Sequence, residues 1–275
     1  MKGLRIKAYA KINLFLHVGP KREDGYHEIH TLLHLIELHD LLTIKISDST
    51  KITCTDSAIP PEENLVTLAL SKFSKKKEIS PVEIHLEKNI PLQSGLGGGS
   101  SDAAATLNGI NMLTGNSLTE DTLFSIARSI GADVPFFLAR TPCAEARGFG
   151  EKIEPKPALE RTPILIAKPK VGMSTAEAYT KLDFVRRLPR VCAEDCKEPS
   201  NDFDAIALPQ SVELMEKLKE LGAFESHLCG SGSAVYGLFD SEEMMQNAFR
   251  NLSTRGVWVW KGSTLSTLEE PEWML

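Results

Sequence analysis

No apolar run in the sequence approaches the ~18 residues that a membrane-spanning helix needs, so no membrane partner is expected. An apolar signal-peptide core with a cleavage site is also lacking. The opening MKGLRIKAYAKINLFL goes straight into alternating apolar and polar residues, and a cytoplasmic location is the expectation. Excess positive charge is missing: the formal net charge is −6, which speaks against a nucleic-acid partner. Cysteine is scarce and odd in number, five in 275 residues, which fits reduced thiols rather than a disulfide framework. Cys192 and Cys196 have no matching Cys/His pair at zinc-site spacing. His27, His30 and His34 would share a face only on a helix, and their surroundings read as strands, so a metal triad is not expected. Internal repeats and low-complexity segments are absent too. The chain is long enough to bury roughly 75% of its unfolded surface without a disulfide or metal.

Strand patterns dominate the first ninety residues, at 4–18, 31–38, 41–47 and 82–90, with 31–38 and 41–47 read as a pair. Between them, 62-EENLVTLALSKFSKK-76 has helical spacing. Helices are also predicted from the glycine-rich stretch to about 113 and over 118–130, the latter with Thr119 as N-cap and Gly131 as stop. Three prolines in 154-EPKPALERTP-163 mark a boundary, giving domains 1–157 and 158–275. Beyond it come a strand at 164–169, a helix at 174–182 and an irregular segment at 183–203. A helix at 210–222, a strand at 226–239, a helix at 241–252 and a strand at 256–262 follow. The class is α+β: an N-terminal mixed β/α domain, then an antiparallel sheet with helices on one face.

The segment 91-PLQSGLGGGSSDAAATLNGINML-113 places Gly95, Gly97, Gly98 and Gly99 directly before a helix. A helix N-terminus has unpaired N–H groups and a partial positive charge, which together favour an anion. Glycines there let the amides turn inward and let a phosphate approach without Cβ interference. Ser100 and Ser101 add hydroxyls and a candidate N-cap. No Gly-Lys-Ser/Thr follows, which excludes a Walker A loop, and Ser100 stands where a dinucleotide fingerprint needs its third glycine.

The run from Pro91 to Ser101, P-x3-G-L-G-G-G-S-S, resembles the central motif of the GHMP kinases. In order along the chain, 8-AYAKINLFLHV-18, 24-DGYHEIHTL-32, 131-GADVPFFL-138 and 229-CGSGSAVYGLF-239 resemble further segments of that superfamily. The first two are similar to its branch acting on a cytidine diphosphate-linked methylerythritol. Gln93-Ser94 departs from the pattern, where two small or glycine residues are usual. The resemblance implies a two-domain GHMP kinase fold and transfer of the γ-phosphoryl of ATP, with Mg²⁺, to a small-molecule hydroxyl in the non-mevalonate route. Homoserine- or mevalonate-type kinases and a non-catalytic nucleotide sensor are the alternatives.

By the same resemblance, Asp133 is the carboxylate beside the attacking hydroxyl and Lys11 its cation. ATP falls to Pro91, Leu92, Gln93, Ser94, Gly95, Leu96, Gly97, Gly98, Gly99, Ser100 and Ser101, with Asn64 and Leu65 at the adenine. Strand alternation puts Lys11, Asn13 and Phe15 on one face and Ile12, Leu14 and Leu16 on the other. Tyr26 and Tyr179 are candidates to stack on a pyrimidine, Asn13 and His27 to pair with its edge, and Thr175 to contact the substrate. Asn64 has an equally good reading as a helix cap and Asp133 as a turn residue. Metal ligands are not identifiable, and monomer and homodimer both remain open.

Overall fold

The structure, a computed structural model, describes residues 3–23, 25–185 and 200–274. Cys192, Cys196 and most of the segment read as irregular lie outside the described residues. A seven-stranded sheet contains β1 (Gly3–Lys21), β2 (His27–Ile46), β3 (Lys51–Cys54), β4 (Val82–Glu87), β5 (Cys143–Gly148), β6 (Lys152–Pro155) and a strand near the chain's end, Glu272–Met274. β1 and β2 pair antiparallel over nearly their whole length. Where the sequence suggests two paired strands, 31–38 and 41–47, the structure has the single strand β2. Its residues 29–34 pair with β5 and its residues 41–46 with β4, so a change of neighbour, not a turn, falls near the polar step His39-Asp40.

Helices α1 (Leu65–Ser74), α2 (Gly98–Leu113), α3 (Glu120–Ile130) and α4 (Val134–Leu138) pack their apolar residues against this sheet. Phe73, Leu107 and Phe136 join Leu4, Leu42, Ile44 and Ile84 in one core. Each such side chain contributes roughly 1.5–3 kcal/mol by leaving water. Gly109 sets the depth of α2: a Cβ there would stand 2.6 Å from Ile6 Cδ1 and 2.7 Å from Ile44 Cδ1. Thr119 caps α3 as expected, accepting from the Thr122 amide, and Gly131 ends it.

The second sheet is antiparallel, in the order β10 (Trp258–Ser263), β7 (Pro163–Lys168), β9 (Val235–Leu238), β8 (Glu225–Leu228). A single strand was expected over 226–239. Gly230 (φ +54°) and Gly232 (φ +90°) instead turn the chain back between β8 and β9. Leu165, Leu228 and Val235 pack under α5 (Thr175–Val185), α6 (Pro209–Glu220) and α7 (Glu242–Ser253) through Leu182, Leu214 and Met245. From the opposite face Ile164, Ile166, Tyr236 and Leu238 meet Ala10, Ile12, Ile36 and Leu38 of β1 and β2. A third apolar layer therefore joins the two sheets. The expected boundary after residue 157 falls between β6 and β7, but the chain's end returns to the larger sheet. There β11 (Glu272–Met274) pairs with Gly3–Arg5, while Leu265 and Leu268 pack on the first core.

Candidate active site

A cleft of about 760 Å³ is walled by β1, the start of β2, the loop leading into α2, α5 and the turn between β8 and β9. Its floor is the mouth of α2. Gly97, left-handed at φ +74°, is the N-cap and the helix begins at Gly98. Ser100 and Ser101 thus fall within the first turns instead of capping the helix. The amide of Ser101 bonds back to the Gly97 carbonyl at 2.9 Å. The three residues before it, Gly98, Gly99 and Ser100, line the cleft, and the first amides of a helix have no partner in its own ladder.

The loop into α2 is held rigidly. At Gly95 (φ +76°) a Cβ would collide with the Cys229 carbonyl. The amides of Ser233 and Ala234 donate to the carbonyls of Gln93 (3.3 Å) and Ser94 (3.2 Å). The β8–β9 turn is therefore laced to the loop by main-chain contacts. Leu96 is fully buried in the apolar layer between the sheets, and its carbonyl accepts from the Lys11 amide at 3.0 Å. That bond fixes the height of β1 against the loop.

Lys11 is only 4% exposed. Its Nζ donates to Asn13 Oδ1 at 2.8 Å and lies 3.8 Å from Asp133 Oδ2. Asn13 Nδ2 in turn donates to Thr31 Oγ1 at 2.8 Å. Asp133 occupies the N-cap position of α4, yet its side chain makes no capping bond, so the carboxylate is left to the cleft. Lys11 and Asn13 share a face, as alternation predicts. The pattern then breaks: a bulge between Asn13 and Phe15 shifts the register, Leu16 lines the cleft, and Phe15 packs with His17 and His30.

At the other end of the cleft His27 Nε2 meets Asp183 Oδ1 at 2.7 Å, and the His27 ring stacks on Tyr179 with centroids 4.9 Å apart. Phe203 meets Tyr179 edge-on at 5.0 Å. Burial, with the Asp133 charge adding to it, pushes the Tyr179 hydroxyl above the ordinary phenol range. Tyr26 is 59% exposed and rests against Phe149 at 5.3 Å. Ser231 donates to Thr175 Oγ1 at 3.4 Å across the opening.

Most of the residues singled out from the sequence thus line one cleft: Lys11, Asn13, Tyr26, His27, Leu65, Asp133, Thr175, Tyr179 and the loop residues Pro91–Gly95 and Gly97–Ser100. Three do not. Asn64 caps α1, accepting from the Val66 amide at 2.9 Å. Leu96 belongs to the apolar layer, and Ser101 faces a smaller cavity beside Tyr9 and Arg140. Sequence reasoning missed Lys88, Phe149 and Asp183. Lys88 offered one hint, its place just before Pro91. Asp183 offered none, because its partner His27 is 156 residues away. The histidines once weighed as a metal triad turn to separate partners: His27 to Asp183, His30 to Glu145 and His34 to the Leu35 carbonyl. Among the described residues no group of three or more His, Cys, Asp or Glu is placed to hold a metal. Nor is any helix there long and apolar enough to cross a membrane.

Residues 64–140 match the GHMP kinases N terminal domain, and residues 199–257 match the GHMP kinases C terminal domain. A 4-diphosphocytidyl-2-C-methyl-D-erythritol kinase of Parabacteroides distasonis is 41% identical over 247 residues, covering 84% of this chain and 90% of the relative. The crystal structure of a 4-(cytidine 5'-diphospho)-2C-methyl-D-erythritol kinase superposes with a TM-score of 0.81 at 33% identity, over 94% of this chain and 98% of that one. A homoserine kinase from Cytophaga hutchinsonii shares the fold, with a TM-score of 0.70 at 17% identity over 99% and 97% of the two chains. Likeness to the diphosphocytidyl-specific enzymes therefore reaches sequence as well as fold, and the chain belongs to the 4-diphosphocytidyl-2-C-methyl-D-erythritol kinase family of the GHMP kinases.

Proposed function

We propose that this chain phosphorylates the 2-hydroxyl of 4-diphosphocytidyl-2-C-methyl-D-erythritol with ATP, giving the 2-phosphate and ADP on the non-mevalonate route to isopentenyl diphosphate. The observation that carries the reading is the Lys11–Asp133 pair, which faces the open mouth of α2 within one cleft. Phosphoryl transfer asks a protein chiefly for positioning and charge stabilisation. Gly98, Gly99 and Ser100 cradle the polyphosphate with main-chain amides and the helix's positive end. Leu65 packs at the adenine, and Asn64 contributes there only by holding α1 in place.

Asp133 orients the acceptor hydroxyl and takes its proton as the oxygen bonds to the γ-phosphorus and the β–γ bridge breaks. Lys11 neutralises charge gathering on the transferred group. Asn13, locked by Lys11 and Thr31, and His27, locked by Asp183 and Tyr179, present fixed polar atoms for a cytosine edge; Tyr26 and Tyr179 supply aromatic surface. Among the described residues there is no cage of carboxylates. Mg²⁺ therefore fits here as a companion of the triphosphate, keeping most of its waters and neutralising phosphate charge.

The deciding experiment supplies ATP with this acceptor, homoserine or mevalonate in parallel and measures ADP. Turnover with the cytidylyl acceptor alone is expected. Faster turnover of homoserine or mevalonate would replace the substrate. ATP binding without ADP from any acceptor would make the chain a nucleotide sensor.

A further inference from the structure

Beside the cradle three ionisable side chains cluster: Asp40 and Asp102 are buried, and Lys88, at the edge of the cleft, has a side chain 5% exposed. Lys88 Nζ donates to Asp40 Oδ2 and, at 2.8 Å, to Asp102 Oδ2. Two carboxylates thus share one ammonium. If both were ionised, a negative charge would be left over in a site that cannot solvate it.

The hydrogen bonds decide which carboxylate gives way. Besides Lys88, Asp40 accepts from the amides of Asn89 (2.6 Å) and Ile90 (2.8 Å). Asp102 has Lys88, and its other oxygen, Oδ1, is buried without a partner. Donors aimed at a carboxylate favour its ionised form, and Asp40 has three where Asp102 has one.

We propose that Asp102 carries a proton in the free enzyme and that this neutral side chain leaves the mouth of α2 positive for the nucleotide's phosphates. Asp102 stands in the second turn of α2, and Lys88 Nζ lies 3.2 Å from where a Cβ on Gly98 would be. Asp40 already pairs with the Lys88 ammonium, so an ionised Asp102 would add an uncompensated negative charge opposing the helix's positive end, which an incoming polyphosphate meets. Burial, which outweighs the pull of Lys88, raises the Asp102 carboxyl to about 8. Burial also works against the Lys88 ammonium, but its hydrogen bonds to the two aspartates and the Asp40 charge raise it. The Lys88 and Asp102 charges also act on Cys54 of β3, whose thiol burial shifts upward, so it stays neutral. Nucleotide binding and the proton on Asp102 are then linked: each strengthens the other by the same factor.

The inference rests on the nucleotide reading above, and the test separates the two. ATP dissociation constants are measured from pH 7 to 9 for the wild type and for Asp102→Asn, a neutral near-isostere. Wild-type affinity should fall about fivefold or more across this range. Asp102→Asn should match the wild type at pH 7 and lose that alkaline decline. Equal pH dependence in both proteins, or a tenfold loss at pH 7 in the variant, would overturn the proposal. A wild type that binds no ATP at all would refute the nucleotide reading instead. In parallel, the side-chain carboxyl of Asp102 is followed by NMR in wild-type protein carrying ¹³C-labelled aspartate, an arm that needs neither nucleotide nor variant. A protonated Asp102 at pH 7 is expected, and an ionised one would sink the proposal.

Discussion

Asp133 is the residue on which chemistry and structure separate most cleanly. Its side chain caps nothing, so Asp133→Asn costs the fold little. Turnover should drop by about 10³-fold, within the usual range for losing a positioned base, with the KM for ATP changed less than roughly threefold. Steady-state kinetics with both substrates check this, and near-wild-type turnover would remove Asp133 from the mechanism. The glycines of the loop divide in the same way. At Gly99 a Cβ meets only Leu65, at an ordinary 3.4 Å, so Gly99→Val should fold and raise the KM for ATP about tenfold by filling the cradle. At Gly95 the Cβ runs into main chain at φ +76°, so Gly95→Ala should lose about 2 kcal/mol or more in denaturant unfolding. Gln93 shows the reverse case. It holds φ +50° where glycine-like residues are usual in the family, so Gln93→Gly should be neutral or gain up to about 1 kcal/mol in the same measurement.

At the scale of elements, α2 does two jobs through two ends of one glycine-containing helix. Its start presents amides to the cleft, and its middle, at Gly109, lets the axis sink onto Ile6 and Ile44. Gly109→Ala gains helix propensity worth about 1 kcal/mol, but it overpacks the core at a cost of about 1–3 kcal/mol. The expected net result is a less stable protein by thermal melting, with α2 displaced from the sheet and a weaker cradle. Helices were the legible elements of this sequence, because caps and 3.6-residue spacing are local signals: Asn64, Thr119 and Gly131 all act where their types suggest. Strands were less so. β2 looked interrupted because Asp40, a polar residue in mid-strand, is satisfied by Lys88 and by the amides of Asn89 and Ile90, which no local pattern reveals. The short strands β3, β6 and β11 carry too few residues for alternation to register, and β5, CAEARG, holds no β-branched or aromatic residue. In the site, residues within glycine-rich or loop motifs could be read in advance. Lys88 and Asp183 could not, since their meaning comes from partners brought together only by folding.

Across the whole molecule, the buried proton on Asp102 also leaves a mark on stability. Burial raises its folded-state value to about 8, well above the 3.8 of an ordinary aspartate. The folded state therefore binds more protons than the unfolded chain between those limits, and stability must fall as pH rises through that window. The contribution is complete below the unfolded value and gone above the folded one. Melting temperatures of the wild type and Asp102→Asn, compared from pH 5 to 8.5, should diverge, with the variant gaining on the wild type toward the alkaline end. Parallel curves would show that no proton is held there.

The pairing of Gly3–Arg5 with Glu272–Met274 reaches beyond the folded state. On the ribosome, the start of β1 emerges long before its outer neighbour, which lies far along the chain. Until then that edge presents open amides and carbonyls to any extended peptide nearby, so the nascent protein is most open to mispairing at the strand that will carry Lys11.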